Sequence, residues 1–341
     1  MQVLPGLQEM VDSLVKIVTS RTFLEIVIFP GLLNVLLSVA FLTWLERKTI
    51  ARIHLRIGPL YAGIWGVLQP IADFVKLLFK EMISPELADV KLLMLCALGL
   101  MMLAAAPIVT IPFGEAFVIA NMDIGLIFVF AVMSLFPSVL LLIGWGSNSK
   151  YSFLGGLRSL FQQVAYEIPM WLSVLGIVML TGTLNLAEIV RAQQKVWFVI
   201  PQVLGFAVFF TAALAELERT PFDLPEAETE LVMGWMTELS GAAFMVGFMA
   251  MYTKFYVMSA LITTLFLGGW LGPAIIPEPI WVVLKTFLVA VVIVTIRGTF
   301  PRVRVDILLR TGWMRLLLLA LVNIVVTVIL IWLGLGWVWR V

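Results

Sequence analysis

The sequence predicts an all-α integral membrane protein of about eight transmembrane helices, with an amphipathic helix on the cytoplasmic side near residues 64–81. Three observations lead there. The 341 residues are 62% hydrophobic and only 13% charged, whereas a soluble domain is nearer ~25% charged. The apolar residues form long runs without the period-two alternation of barrel strands. The 22 Lys and Arg residues concentrate in alternate loops.

The elements follow in order. The first twenty residues carry Glu9, Asp12 and Lys16 and lack the basic start and apolar middle of a cleavable signal peptide. Roughly 20 apolar residues cross a bilayer as a helix. Spans are therefore expected near 22–45, 91–111, 123–145, 161–184, 197–217, 240–264, 279–298 and 313–338. An even number puts both termini on one side. The loops after the first, third, fifth and seventh spans hold most of the basic residues, with Arg47, Lys48, Arg52, Arg56, Lys76 and Lys80 in the first alone. This asymmetry assigns those loops to the cytoplasm and the termini to the outside. The chain reads as a single membrane domain, 1–341, with three prominent cytoplasmic loops at 46–85, 216–238 and 297–313.

In the first loop, Gln69, Asp73, Lys76 and Lys80 recur on one helical face, while Ile64, Val67, Leu68, Ile71, Phe74, Val75 and Leu78 fill the other. Such a helix is too polar to span and suits the membrane surface. By pattern alone it is an interfacial anchor. The second loop holds Glu216, Glu218, Asp223, Glu226, Glu228 and Glu230, with Arg219 as its local counter-charge. Pro221 and Pro225 stop the fifth span from continuing. Asp223 is placed to cap a new helix, with Pro225 in its first turn and Glu226 closing a capping box. Capping one helix does not need six carboxylates. Neighbouring and partly buried carboxylates raise one another's pKa and titrate as a coupled set, which suits proton handling.

Ionisable residues within spans are functional candidates. Glu167, just before Pro169 in the fourth span, is the strongest; Glu25 and Lys285 lie near span ends and are expected to reach the interface. The single Cys96 excludes an intrachain disulfide and any iron–sulfur cluster held by this chain alone. The single His54 excludes a multi-histidine metal site and reads as an interfacial polar residue, and no Ser–His–Asp candidate is found in context. No nucleotide-binding glycine motif is present.

Two long stretches carry a resemblance. WLERKTIARIHLRIGP (Trp44–Pro59) with GVLQPIADFVKLLFKE (Gly66–Glu81), and RTPFDLPEAETELVMG (Arg219–Gly234), resemble the two signatures of the H-subunit family (subunit 1 in mitochondria) of proton-pumping NADH:quinone oxidoreductase, respiratory complex I. GWGSNSKYSFLGGLR (Gly144–Arg158), SALITTLFLGGW (Ser259–Trp270) and RGTFPRVRVDILLRTGW (Arg297–Trp313) are similar as well.

The resemblance implies a quinone tunnel at the junction of membrane and peripheral arms, with the amphipathic helix at its entrance. It implies tunnel positions at Glu46, Arg47, Asp73, Lys76, Glu228 and Arg302. It also implies a proton-coupling chain through Glu167, Glu216, Glu226, Glu228 and Glu230. Quinone would be the substrate, with no cofactor or metal held by this chain alone; FMN and iron–sulfur clusters would belong to partner subunits. The implied partners are peripheral-arm iron–sulfur and quinone-site subunits, small membrane subunits, antiporter-like subunits and lipid, but no nucleic acid. The implied location is an energy-transducing membrane, the prokaryotic plasma membrane.

Three stretches depart from the family pattern. Met251 stands where many relatives have a glutamate, Leu239 follows Glu238, and Leu60 and Tyr61 follow the first signature's RIGP. A free-standing proton-coupled transporter is a different reading of the same acids. So is the related membrane subunit of a hydrogenase, ferredoxin- or deazaflavin-dependent complex. Against the transporter stand the lack of an internal repeat and the position of the acids near a membrane edge.

Overall fold

The computed structural model describes residues 21–226, 228–273 and 275–334, without the side chains of 21–23, 228 and 229. The first twenty residues and the far end of the expected span 313–338 lie outside the described residues. No strand occurs among the described residues. The helices are α1 (Arg21–Val27), α2 (Leu32–Ile53), α3 (Gln69–Leu78), α4 (Val90–Ala105), α5 (Gly125–Ser134), α6 (Phe136–Gly146) and α7 (Lys150–Thr181). They continue with α8 (Leu186–Ala192), α9 (Val203–Glu216), α10 (Glu228–Leu231), α11 (Gly241–Phe266), α12 (Glu278–Thr299), α13 (Val305–Arg310) and α14 (Leu317–Trp332).

Among the described residues, seven segments are long and apolar enough to cross a membrane: Leu24–Ile53, Val90–Val109, Gly125–Gly146, Lys150–Thr181, Gly241–Phe266, Glu278–Thr299 and Val305–Trp332. The expected span 197–217 is instead the 14-residue α9. Pro201 lacks an N–H to continue a helix backward. Ahead of it, the Val199 N–H donates to the carbonyl of Phe266 at 3.1 Å, which turns 197–202 over the end of α11.

The fourth span is longer than its expected bounds, running 32 residues from Lys150 to Thr181 and ending on Gly182 in the left-handed conformation. Glu167 therefore sits mid-helix rather than near an end. The surface helix is shorter than 64–81: a 3₁₀ turn, Ile64–Gly66, precedes the ten residues of α3. Pro70 fits that start, since proline is favoured in a helix's first turn, where its missing N–H is not needed. The capping box expected at Asp223 does not form. The helix of that stretch, α10, begins at Glu228, too far on for Asp223 to cap.

Two bundles of contacts organise the molecule. The long α7 packs on α6, α9 and α14, and α11 packs on α4, α12 and α2. In its most apolar stretch α11 is 78% buried, whereas the stretch ending in α14 is 22% buried. So α11 is the interior helix, and α14 turns Leu318, Leu321, Val325 and Ile329 outward, as a lipid-facing helix must.

Lys285 does not snorkel. It is buried, and its Nζ donates to the carbonyls of Leu267 (2.7 Å), Gly269 (3.0 Å) and Leu271 (2.7 Å), with the Trp197 ring 4.5 Å away. An ammonium has three protons, and here three carbonyls of the turn that follows α11 receive one each. Lys285 thus fastens α12 to that end of α11. The opposite end of the bundle gathers the charged loops, and there the site lies.

Candidate functional site

The site starts on α2. Residues 45, 48, 49 and 52 share one helical face and residues 46, 47, 50, 51 and 54 an adjacent one, as the 3.6-residue period dictates. Each face walls a cavity. The first, about 880 Å3, lies between Trp44, Leu45, Lys48, Thr49 and Arg52 and the turn Gly63–Leu68, and is mostly apolar. The second, about 430 Å3, is lined by Glu46, Arg47, Ile50, Ala51, His54, Arg56, Phe248, Tyr252 and Arg297.

Glu46 is the anionic centre of the second cavity and is buried. Its Oε1 accepts from Arg219 and pairs with Arg297, while its Oε2 has no hydrogen-bond partner among the described residues. A buried carboxylate is stable only when paired, and here two guanidiniums meet one carboxylate. Arg219 is held flat over the rings of Tyr252 and Phe255, 4.7 and 4.8 Å from their centres. Arg47 is fixed by Asp73 of α3, which also accepts from Gln69 at 2.9 Å. With Arg47, Arg56 and Arg297 on the wall against Glu46, the cavity presents excess positive charge to whatever occupies it.

A second constellation lies behind Arg219. Lys254 of α11 is 2% exposed and donates to Glu216 Oε1 at 2.8 Å and to Gln163 Oε1 at 2.9 Å. The Gln163 amide in turn donates to Glu218 Oε1 at 2.7 Å, and Ser159 donates to the same oxygen. Burial pushes the Glu218 carboxyl above the ordinary glutamate range, against the hydrogen bond from Ser159 and the charge of Lys254. The native state therefore binds this proton more tightly than the unfolded chain does. Stability falls as pH rises from the ordinary range towards the native value. Glu167 is half-buried on α7, hydrogen-bonded to Trp171 and within the field of Glu216 and Lys254.

The remaining expected residues sit apart. Arg302 donates to the Asp223 carbonyl at 2.5 Å and lies 3.5 Å from its carboxylate, so it ties the basic loop to the acidic one. Glu230 is exposed and receives Arg158 at 2.6 Å, which lowers its pKa. That pairing is complete above the ordinary glutamate range and is lost as pH falls through the lowered native value. Glu226 is half-buried in the turn before α10, and Lys76 is exposed on α3. The side chain of Glu228 lies outside the described residues.

Sequence reasoning did not single out Lys254, Gln163 or Arg297 as site residues, and it read Glu218 only as one of six loop acids and Arg219 only as their local counter-charge. The signal for Lys254 was present, since it is an ionisable residue midway along a span, which is the criterion that selected Glu167. Arg219 and Arg297 were legible as loop charges, but their convergence on Glu46 needs three distant segments to meet.

The NADH dehydrogenase family model matches residues 26–328. The H subunit of the NADH-quinone oxidoreductase of Dehalococcoides mccartyi (strain ATCC BAA-2266 / KCTC 15142 / 195) is 45% identical over 293 residues, covering 86% of this chain and 82% of that one. Its counterpart in Rhodospirillum centenum is 44% identical, covering 86% and 89%. The counterpart in Bacillus mycoides is 43% identical, covering 94% and 98%.

Proposed function

Because this chain belongs to the NADH dehydrogenase family and is a membrane subunit of an NADH-quinone oxidoreductase, we propose that its charged cavity holds the head group of a quinone. One observation carries the reading. A buried carboxylate flanked by two guanidiniums faces a cavity with aromatic walls, next to an apolar cavity on the adjoining face of the same helix. A quinone is a polar dione on an apolar tail, and the two cavities match those halves. Reduction takes two electrons and two protons and passes through anionic species, which preorganised cations stabilise. The electrons would come from iron–sulfur clusters in peripheral-arm subunits, beyond which FMN would accept them from NADH.

Arg219 supplies the link to proton coupling. Its guanidinium pairs with Glu46 of the cavity wall, and the residue before it, Glu218, belongs to the Lys254 cluster. Negative charge gained in the cavity pulls on Arg219 and alters the field at Glu218, Glu216 and Glu167. From there the signal would pass to small membrane subunits and antiporter-like subunits. Glu230, Glu228 and Glu226, beside the basic loop, would answer the docked peripheral arm. On this reading the acidic and basic loops are cytoplasmic and the chain sits in a prokaryotic plasma membrane.

Phe248 tests the head-group assignment. Its ring lies 4.8 Å from that of Tyr252 in the cavity wall. Removing such a ring costs about 0.5–1.5 kcal/mol of aromatic contact. Phe248→Ala in the assembled complex is expected to raise KM for quinone about two- to tenfold while kcat falls less, as loss of uniform binding predicts. A KM equal to wild type would sink the assignment.

A further inference from the structure

We propose that Glu218, bridged by Gln163 to the Glu216–Lys254 ion pair, is a proton-binding site that stores one proton, and that Lys254 sets that number at one. The inference rests on the quinone reading for its role in turnover but not for its existence.

The position of Glu218 in the chain is the first ground. It follows Leu217, the C-cap of α9, and its φ of 52° is in the left-handed region. Helices commonly end there on glycine, which meets no steric penalty. A glutamate in that conformation is strained, because its Cβ crowds the backbone. The backbone bond that closes the helix, Glu218 N–H to the carbonyl of Ala215 at 3.1 Å, needs no side chain. The carboxylate is therefore not there to end the helix, and such strain is typically kept at functional positions.

Charge is the second ground. Glu218 is 2% exposed, Glu216 3% and Lys254 2%. One ammonium faces two carboxylates. Glu167 on α7 adds a third acid to the surroundings of Glu216 and Lys254, and Arg219, the nearest guanidinium in sequence, is engaged by Glu46. An uncompensated carboxylate in so enclosed a place is costly, and one proton balances the fully buried set of Glu216, Glu218 and Lys254, Glu167 being only half-buried. The third ground is geometric. Both hydrogen bonds to Glu218 converge on Oε1, from Ser159 and Gln163, and Oε2 has no partner among the described residues. That arrangement leaves Oε2 as the oxygen to be protonated. Burial also shifts the Glu218 equilibrium towards the protonated acid.

Infrared difference spectroscopy of the purified, assembled complex at neutral pH tests this. A carboxylic acid is recognised by its carbonyl stretch and by the shift of that band in D2O. Glu218→Gln is expected to lose one such band relative to wild type. Lys254→Met, which leaves Glu216 and Glu218 facing each other without a cation, is expected to double it. If Glu218→Gln instead removes ionised-carboxylate bands, the proposal is overturned. If Glu218→Gln does not assemble, Lys254→Met decides, and an unchanged acid band overturns the proposal. The ratio of protons pumped to quinone reduced, measured on the same Glu218→Gln complex, is expected to fall. Loss of the band with a wild-type ratio would leave the proton site standing and remove its assigned role in coupling.

Discussion

Replacing Glu46 by alanine is expected to cost about 3–5 kcal/mol of stability, because breaking a buried ion pair leaves its partners uncompensated. Arg219 and Arg297 would then face each other without the carboxylate between them. Quinone reduction is expected to fall about a hundredfold or more, on the scale of losing a preorganised electrostatic group. The two effects are separable. Thermal unfolding of the detergent-solubilised complex reads the first, and initial rates below the unfolding range read the second. Glu46→Gln keeps the shape and one acceptor oxygen but not the charge, so it should unfold at an intermediate temperature. Equal melting of wild type, Glu46→Gln and Glu46→Ala would show that the triad contributes nothing to the fold.

The second large effect belongs to a glycine far from the cavity. A Cβ on Gly155 would lie 2.6 Å from the backbone N of Trp235 and 2.7 Å from both Cα and carbonyl carbon of Gly234. Those atoms are backbone and cannot swing away. Gly234 is itself held at φ 57° against the Pro225 carbonyl, so the segment cannot retreat. Ser152, one turn earlier on α7, donates to the Trp235 carbonyl at 3.1 Å and fixes the same contact. Gly155→Ala is therefore expected to lift the 225–236 segment off α7. The cost should reach or exceed the about 1–3 kcal/mol of ordinary overpacking. The Arg158–Glu230 pair lies across the same contact and should be lost with it. The measurements are thermal unfolding and the yield of assembled complex, and wild-type values for both would contradict the packing argument.

Helix class, the sites of most spans and the location of the charged end were legible in the sequence. Each depends on hydrophobic run length, loop charge or proline placement, and these act locally. The misplacements have physical causes that are not local. Residues 197–202 are apolar enough to continue α9, but Pro201 and a hydrogen bond to the end of α11 turn them aside. Lys285 looked like an interface lysine, yet the three carbonyls at 267, 269 and 271 draw it inward. At the site, Glu46, Arg47 and Asp73 were named from the first signature, Glu216 from the acidic loop and Glu167 as an ionisable residue within a span. Their partners were hidden, because Arg219 pairs with distant Glu46 rather than with its own loop, and Lys254 and Arg297 become counter-charges only when α2, α9, α11 and α12 are brought together. Met251 shows the same limit. It packs among the apolar residues near α4 and α6, and the charge of that face is carried one turn later by Lys254, over Phe136 and paired with Glu216.

The most direct test of the central claim is photoaffinity labelling of the assembled complex with a quinone carrying its reactive group on the ring. The cavity assignment predicts label in this chain within 46–56, 248–252 or at Arg297, suppressed by excess unlabelled quinone and reduced in Phe248→Ala. Competable label that never falls on those three segments would contradict it.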